Sequence, residues 1–189
     1  MQTGVPGGEG AIMIHLPDRK TLWIKCGTRG RRNVLYDHRK KVWRDLSAKG
    51  MPGYGTVGAY APDSRTAVVI NASHDRRTGK TTYQTWTYAF DEDQWRLVQP
   101  AAPAGGRDAG GHFHYDPVAR RFVLISNHVE PRLWLYSLPR NEWTDPRPKG
   151  DAPPKGRLAG YYDPARNVTV HYDGKAAWVY RCTRREGGR

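Results

Sequence analysis

Two histidines set two residues apart, His112 and His114, are the residues of this chain whose type and spacing could most directly do chemistry. They lie in the run Gly111-His112-Phe113-His114-Tyr115-Asp116. In an extended segment successive side chains point to opposite faces, so the two imidazoles share one face, as two nitrogen ligands of one metal must. The spacing fixes no third ligand. The same pair equally suits a polar inner strand lining a channel, and no metal is assigned. Arg107 and Arg157 each close a Pro/Gly-rich connector just ahead of an apolar run. A guanidinium placed there could hold a carboxylate or an acidic peptide, or could bond the connector's own carbonyls. Tyr161 aligns with His114 in the last segment of the chain. Arg107, His112, His114, Arg157 and Tyr161 are therefore the candidate ligand-binding residues.

Other routes to chemistry are incomplete, and no catalytic residue and no cofactor are assigned. Ser64 and Ser126 lack the Gly-x-Ser-x-Gly turn that would present a nucleophile. Cys26 and Cys182 are far apart with no CxxC, which encodes neither a disulfide scaffold nor a zinc motif and predicts free thiols inside strands. Tyr161, Tyr162, His171 and Tyr172 cluster, yet alternation puts His171 and Tyr172 on opposite faces.

These residues must be positioned by a core that leans on aromatic rings. Only 38% of the 189 residues are hydrophobic, but they come in short runs, and seven Trp and eleven Tyr bury much area each. The net charge of +13 invites a polyanion. Its distribution argues against nucleic acid, because Arg31-Arg32, Arg39-Lys40-Lys41, Arg76-Arg77, Arg120-Arg121 and Arg184-Arg185 are dispersed pairs and triplets. No run approaches the ~20 apolar residues of a membrane helix. Met1 to Gly8 has neither the basic start nor the apolar middle of an export signal, and the compartment is left open.

The chain repeats itself. Turn prolines Pro17, Pro62, Pro117 and Pro164 recur with an aspartate beside each and a β-rich run after each. A Tyr stands seven residues before a Trp at Tyr36 and Trp43, Tyr88 and Trp95, and Tyr136 and Trp143. Trp178 and Tyr180 begin the pattern a fourth time without its closing Trp. A period near 45–55 residues, with four short strands per period and no helical signal, is that of a β-propeller blade. The segment Asp75 to Thr81 lengthens the second unit as an extended hairpin.

The Tyr-Asp-Pro turn, the aromatic pair in the third strand and the Trp in the fourth resemble kelch repeats, as in the propeller of galactose oxidase. The likeness runs from about Ala11 to Cys182. In place of the usual glycine pair closing the second strand stand Cys26-Gly27, Asn71-Ala72, Ser126-Asn127 and Asp173-Gly174. The resemblance implies an all-β fold: a kelch-like segment of about four blades of four-stranded antiparallel sheets forming an open arc, with blades near 11–50, 53–100, 107–148 and 157–183, the last incomplete. Equivalent tryptophans should be equally buried. The first and last blades should leave faces bearing Ile12, Ile14, Val168 and Val170 uncovered, so self-association through open faces, or a place in a longer propeller, is expected. The function implied is a non-enzymatic binding or scaffold module presenting a loop face to a protein or small ligand. The alternative is a galactose-oxidase-like or carbohydrate-active enzyme, which would need two tyrosines, one cross-linked to a cysteine, and two histidines on copper.

Overall fold

A computed structural model describes residues 11–25, 31–53, 55–98, 112–126, 132–147, 150, 159–172 and 174–182. Among them there is no helix, and the strands form four antiparallel sheets of the propeller-blade type. Sheet 1 comprises β1 (Ile12–Leu16), β2 (Thr21–Lys25), β3 (Asn33–Asp37) and β4 (Val42–Asp45). Sheet 2 comprises β5 (Gly55–Ala61), β6 (Thr66–His74), β7 (Thr81–Ala89) and β8 (Gln94–Val98). Sheet 3 comprises β9 (His112–Asp116), β10 (Arg121–Ser126), β11 (Arg132–Ser137) and β12 (Glu142–Thr144). Sheet 4 has three described strands, β13 (Ala159–Asp163), β14 (Val168–Tyr172) and β15 (Ala177–Tyr180). Within every sheet neighbours in sequence are neighbours in space.

The hairpins that close one end of the sheets follow one plan. Each joins two strands through four residues, and the fourth is left-handed: Lys20, Lys41, Arg65, Asp93, Arg120, Asn141 and Asn167 all have φ between 50 and 55°. The strand-end side chain caps the turn in several. Asp116 Oδ1 accepts from the Val118 and Ala119 amides at 2.9 and 3.0 Å, and Asp37 and Asp163 do the same at their turns. Such Asx capping satisfies turn amides that no ladder reaches and steadies the left-handed residue. A tyrosine hydroxyl of the adjoining strand reaches the left-handed residue as well, Tyr88 to Asp93 and Tyr136 to Asn141.

The predicted aromatic pairs are direct cross-strand partners. Tyr36–Trp43, Tyr88–Trp95 and Tyr136–Trp143 have ring centroids 4.7, 5.0 and 4.9 Å apart and interplanar angles of 40, 42 and 39°. Their burial is unequal, which corrects the expectation. Trp95 is buried, because sheet 1 lays Trp23 against it at 5.7 Å, whereas Trp43 and Trp143 are half-buried. Position in a repeat fixes the geometry of the pair, and what covers the face fixes its burial.

The chain divides into two compact units, Met1–Ala102 with sheets 1 and 2, and Pro103–Arg189 with sheets 3 and 4. In the first, β1 lies along β5, and Ile12, Leu16, Trp23, Tyr60, Val69, Tyr88 and Trp95 fill the seam. Trp23 stacks on Tyr88 at 5.7 Å and 7°. Gly58 permits the approach: a Cβ there would come within 3.0 Å of Ile12 Cγ2 and 3.1 Å of Ile14 Cδ1. Ile12 and Ile14, expected on an uncovered face, are thus covered by sheet 2. Lys25 is buried with its Nζ donating to the Gly53 carbonyl at 2.5 Å, which answers part of the cost of enclosing an ammonium. In the second unit β9 lies along β13, and Val123, Ile125 and Leu133 pack with Leu135 and Tyr180.

Candidate functional site

The seam of the second unit holds the polar cluster. Alternation along β9 puts His112, His114 and Asp116 on the face that meets sheet 4, and β14 turns Thr169 and His171 toward them. The rings of His112 and His114 stack at 5.1 Å and 27°, and His171 meets His112 edge-on at 5.6 Å. Tyr162 stacks on His114 at 5.0 Å and 18°. Nε2 of His114 is 2.9 Å from the Thr169 hydroxyl, either of which can donate. Gly160, paired with His171, makes the contact possible, since a Cβ there would fall 2.9 Å from His171 Cε1 and 3.0 Å from His112 Cγ.

Asp116 closes the cluster at the hairpin end. The Asn167 side-chain amide faces both its oxygens, at 3.1 and 3.2 Å, and the Tyr162 hydroxyl at 2.8 Å, and it donates to the carboxylate when its nitrogen is turned that way. This amide orientation gives a buried carboxylate donors instead of a second acceptor. Beyond β15, rather than within a strand as expected, lies the buried thiol of Cys182. Burial pushes the Cys182 thiol up, and burial together with Asp116 raises Tyr162 to about 12. Cys26 lies outside the described residues.

Burial keeps the histidines neutral. It lowers His112 and His171 to about 4 and His114 to about 3, with the neighbouring imidazoles adding to the effect on His114 and His171. No described protein group hydrogen-bonds His112 Nε2, His114 Nδ1 or either nitrogen of His171. Neutral rings with free nitrogens can donate to or accept from a polar ligand, but they are too weakly basic to serve as general bases near neutrality. Among the described residues no three His, Cys, Asp or Glu side chains are arranged to hold a metal ion.

Alignment on the turn prolines shows how unusual this seam is. Ile12, Ile14, Leu16, Ala67 and Val69 of the first unit occupy the positions of His112, His114, Asp116, Thr169 and His171, and Gly58 that of Gly160. One packing plan is filled with apolar side chains in the first unit and polar ones in the second. His112 and His114 come together as their spacing predicts. Tyr161 does not join them, because it is on the opposite face of sheet 4 and exposed. Arg107 and Arg157 lie outside the described residues. Thr169 and Gly160 carry no signal of their own in the sequence, and His171 groups there with Tyr161, Tyr162 and Tyr172 rather than with His112, although setting Pro164 against Pro62 places His171 on the strand position of Val69.

No protein-family profile matches the chain, and no curated protein matches its sequence. Solved structures match its fold. An auxiliary nutrient binding protein from Bacteroides thetaiotaomicron aligns with a TM-score of 0.58 at 10% identity, over 91% of this chain and 42% of that one. KlAtg21, solved in complex with the coiled coil of AgAtg16, aligns at 0.54 and 13% identity, over 93% and 54%. The β-propeller domain of the Trilobed protease from Pyrococcus furiosus aligns at 0.46 and 8% identity, over 95% and 54%. The chain spans about half the length of the solved structures it matches.

Proposed function

We propose that this chain is a kelch-like propeller module that binds a protein or small ligand without transforming it. The observation that carries the reading is the contrast between the two ends of its sheets. The hairpins at one end share one geometry, whereas at the other end the β2–β3, β6–β7, β10–β11 and β14–β15 loops span 26–32, 75–80, 127–131 and 173–176, no two alike in length. A fixed frame carrying variable loops suits recognition. His112 and His171 lie toward the variable end of their strands. Two structural neighbours, one a nutrient binding protein and one solved in complex with a coiled coil, fit the same reading as analogy.

A thermal-shift panel of sugars, carboxylates and acidic peptides, followed by calorimetric titration of the hits, tests it. The expected result is a saturable ligand recovered chemically unchanged. Turnover of the bound molecule, or no saturable ligand in the panel, would overturn it. The enzyme alternative has one observation of its own: Tyr162, Tyr180, Cys182 and three histidines share the seam of the second unit. Stoichiometric copper in the purified protein, with a Tyr–Cys cross-link detected by mass spectrometry, would favour it.

A further inference from the structure

We propose that the variable end of sheet 2 holds a binding site for a neutral, hydroxyl-rich ligand of the carbohydrate class, made by Asn71, Gln84 and Trp86. This site belongs to the binding reading above and rests on it. The register pairs Asn71 of β6 with Gln84 of β7, and Gln84 and Trp86 stand two apart on one strand. All three side chains therefore share the face that carries Tyr88 and Trp95 toward sheet 1. β5 begins opposite Asn71 and β8 ends opposite Thr85, which puts the amide pair where the four-stranded part of the sheet ends.

The hydrogen bonds fix which atom of each amide points where. An indole N–H can only donate, and Trp86 Nε1 donates to Gln84 Oε1 at 3.2 Å. The same oxygen accepts from Asn71 Nδ2 at 3.4 Å. Gln84 Nε2 is thereby left as a donor and Asn71 Oδ1 as an acceptor. Asn71 is 6% exposed, and its Oδ1 is buried with no hydrogen-bond partner among the described residues. A buried carbonyl without a donor costs stability, so an atom kept in that state marks a place where a ligand's donor completes the site. A hydroxyl both donates and accepts, so the hydroxyls of one sugar answer Asn71 Oδ1 and Gln84 Nε2 together. Trp86 is only half-buried, and Leu97, its cross-strand partner on β8, is exposed, which offers an apolar platform to the C–H face of a sugar ring. Among the described residues no charged side chain stands on this face of β6, β7 or β8, so nothing there matches a carboxylate or a phosphate.

The tryptophan recurs along the chain and the amides do not. Trp134 holds the place of Trp86 in sheet 3, with Tyr136 two residues on as Tyr88 is, but the cross-strand pair beside it is Ser126 and Arg132. The repeat accounts for the ring and leaves Asn71 and Gln84 without a structural reason.

Calorimetric titration of the full chain with methyl β-D-glucopyranoside, methyl β-D-galactopyranoside and cellobiose tests this. At least one sugar is expected to bind saturably, and Asn71→Leu and Gln84→Glu should each weaken it roughly tenfold or more. Asn71→Leu should do so with a melting temperature no lower than the parent's, because it removes the unpaired carbonyl. Gln84→Glu keeps the oxygen that Trp86 and Asn71 share and removes only the donor. Arg96→Ala, exposed on the opposite face of β8, should bind as the parent does. Sugar binding that both variants leave unchanged would overturn this site and leave the binding reading standing. Saturable binding of a carboxylate or an acidic peptide, with no sugar bound, would do the same. No saturable ligand of any class would overturn both.

Discussion

At the scale of residues, His112, His114 and His171 determine how the second unit responds to acid. Each imidazole has a folded pKa below the 6.5 of an exposed histidine, because the seam withholds water from the charged form. A base whose folded pKa is depressed stabilises the fold above the unfolded pKa. That stability is lost as pH falls from about 6.5 toward the folded values near 4 and 3, because the unfolded chain takes up the protons first. Each such proton costs ~1.4 kcal/mol per pH unit, so urea unfolding at pH 7, 6 and 5 should show stability falling with a slope approaching three protons. Equal midpoints at pH 7 and 5 would contradict the burial of the cluster. His171→Val, which installs the side chain found at Val69 in the first unit, should flatten that slope. Gly160→Ala should cost ~1–3 kcal/mol by forcing the two rings apart, while Gly53→Ala, whose Cβ would meet nothing within 4 Å, should cost little.

At the scale of elements, the repeat was legible because each strand carries its own signal. The Tyr–Trp spacing named a cross-strand pair, and the Asp-Pro turns named hairpins whose fourth residue is left-handed. What covers each sheet was not legible, because that depends on neighbours far away in sequence. The burial of Trp95 comes from Trp23, and the seam position of Ile12 comes from Gly58. The histidine site was half legible for the same reason: spacing paired His112 with His114 on one strand, while His171 arrives from another sheet. Trp95→Ala should therefore cost ~3–5 kcal/mol, as large aromatic truncations in cores do, and Trp43→Ala clearly less. Thermal melts of the two variants decide it, and equal losses would mean that the Trp23 seam is not what buries Trp95.

At the scale of the whole molecule, the sheets have two unlike ends. The hairpin end is specified residue by residue, through Asp caps, left-handed fourth residues and tyrosine hydroxyls. At the opposite end the loops joining the strands differ in length. Even the long β6–β7 hairpin is held locally, by Asp75 accepting from the Arg77 amide and by Gly79 at a φ of 68°. Long loops cost a domain little in closure entropy, so chains can vary there and keep the frame. The direct measurement is a pair of Gly-Ser insertions read by thermal melting, one in the 75–80 loop and one between Pro117 and Arg120. The 75–80 insertion should leave the melting temperature nearly unchanged, and the Pro117–Arg120 insertion should lower it sharply. Equal sensitivity at the two ends would contradict the division between frame and variable loops, and with it the basis for reading this chain as a recognition module.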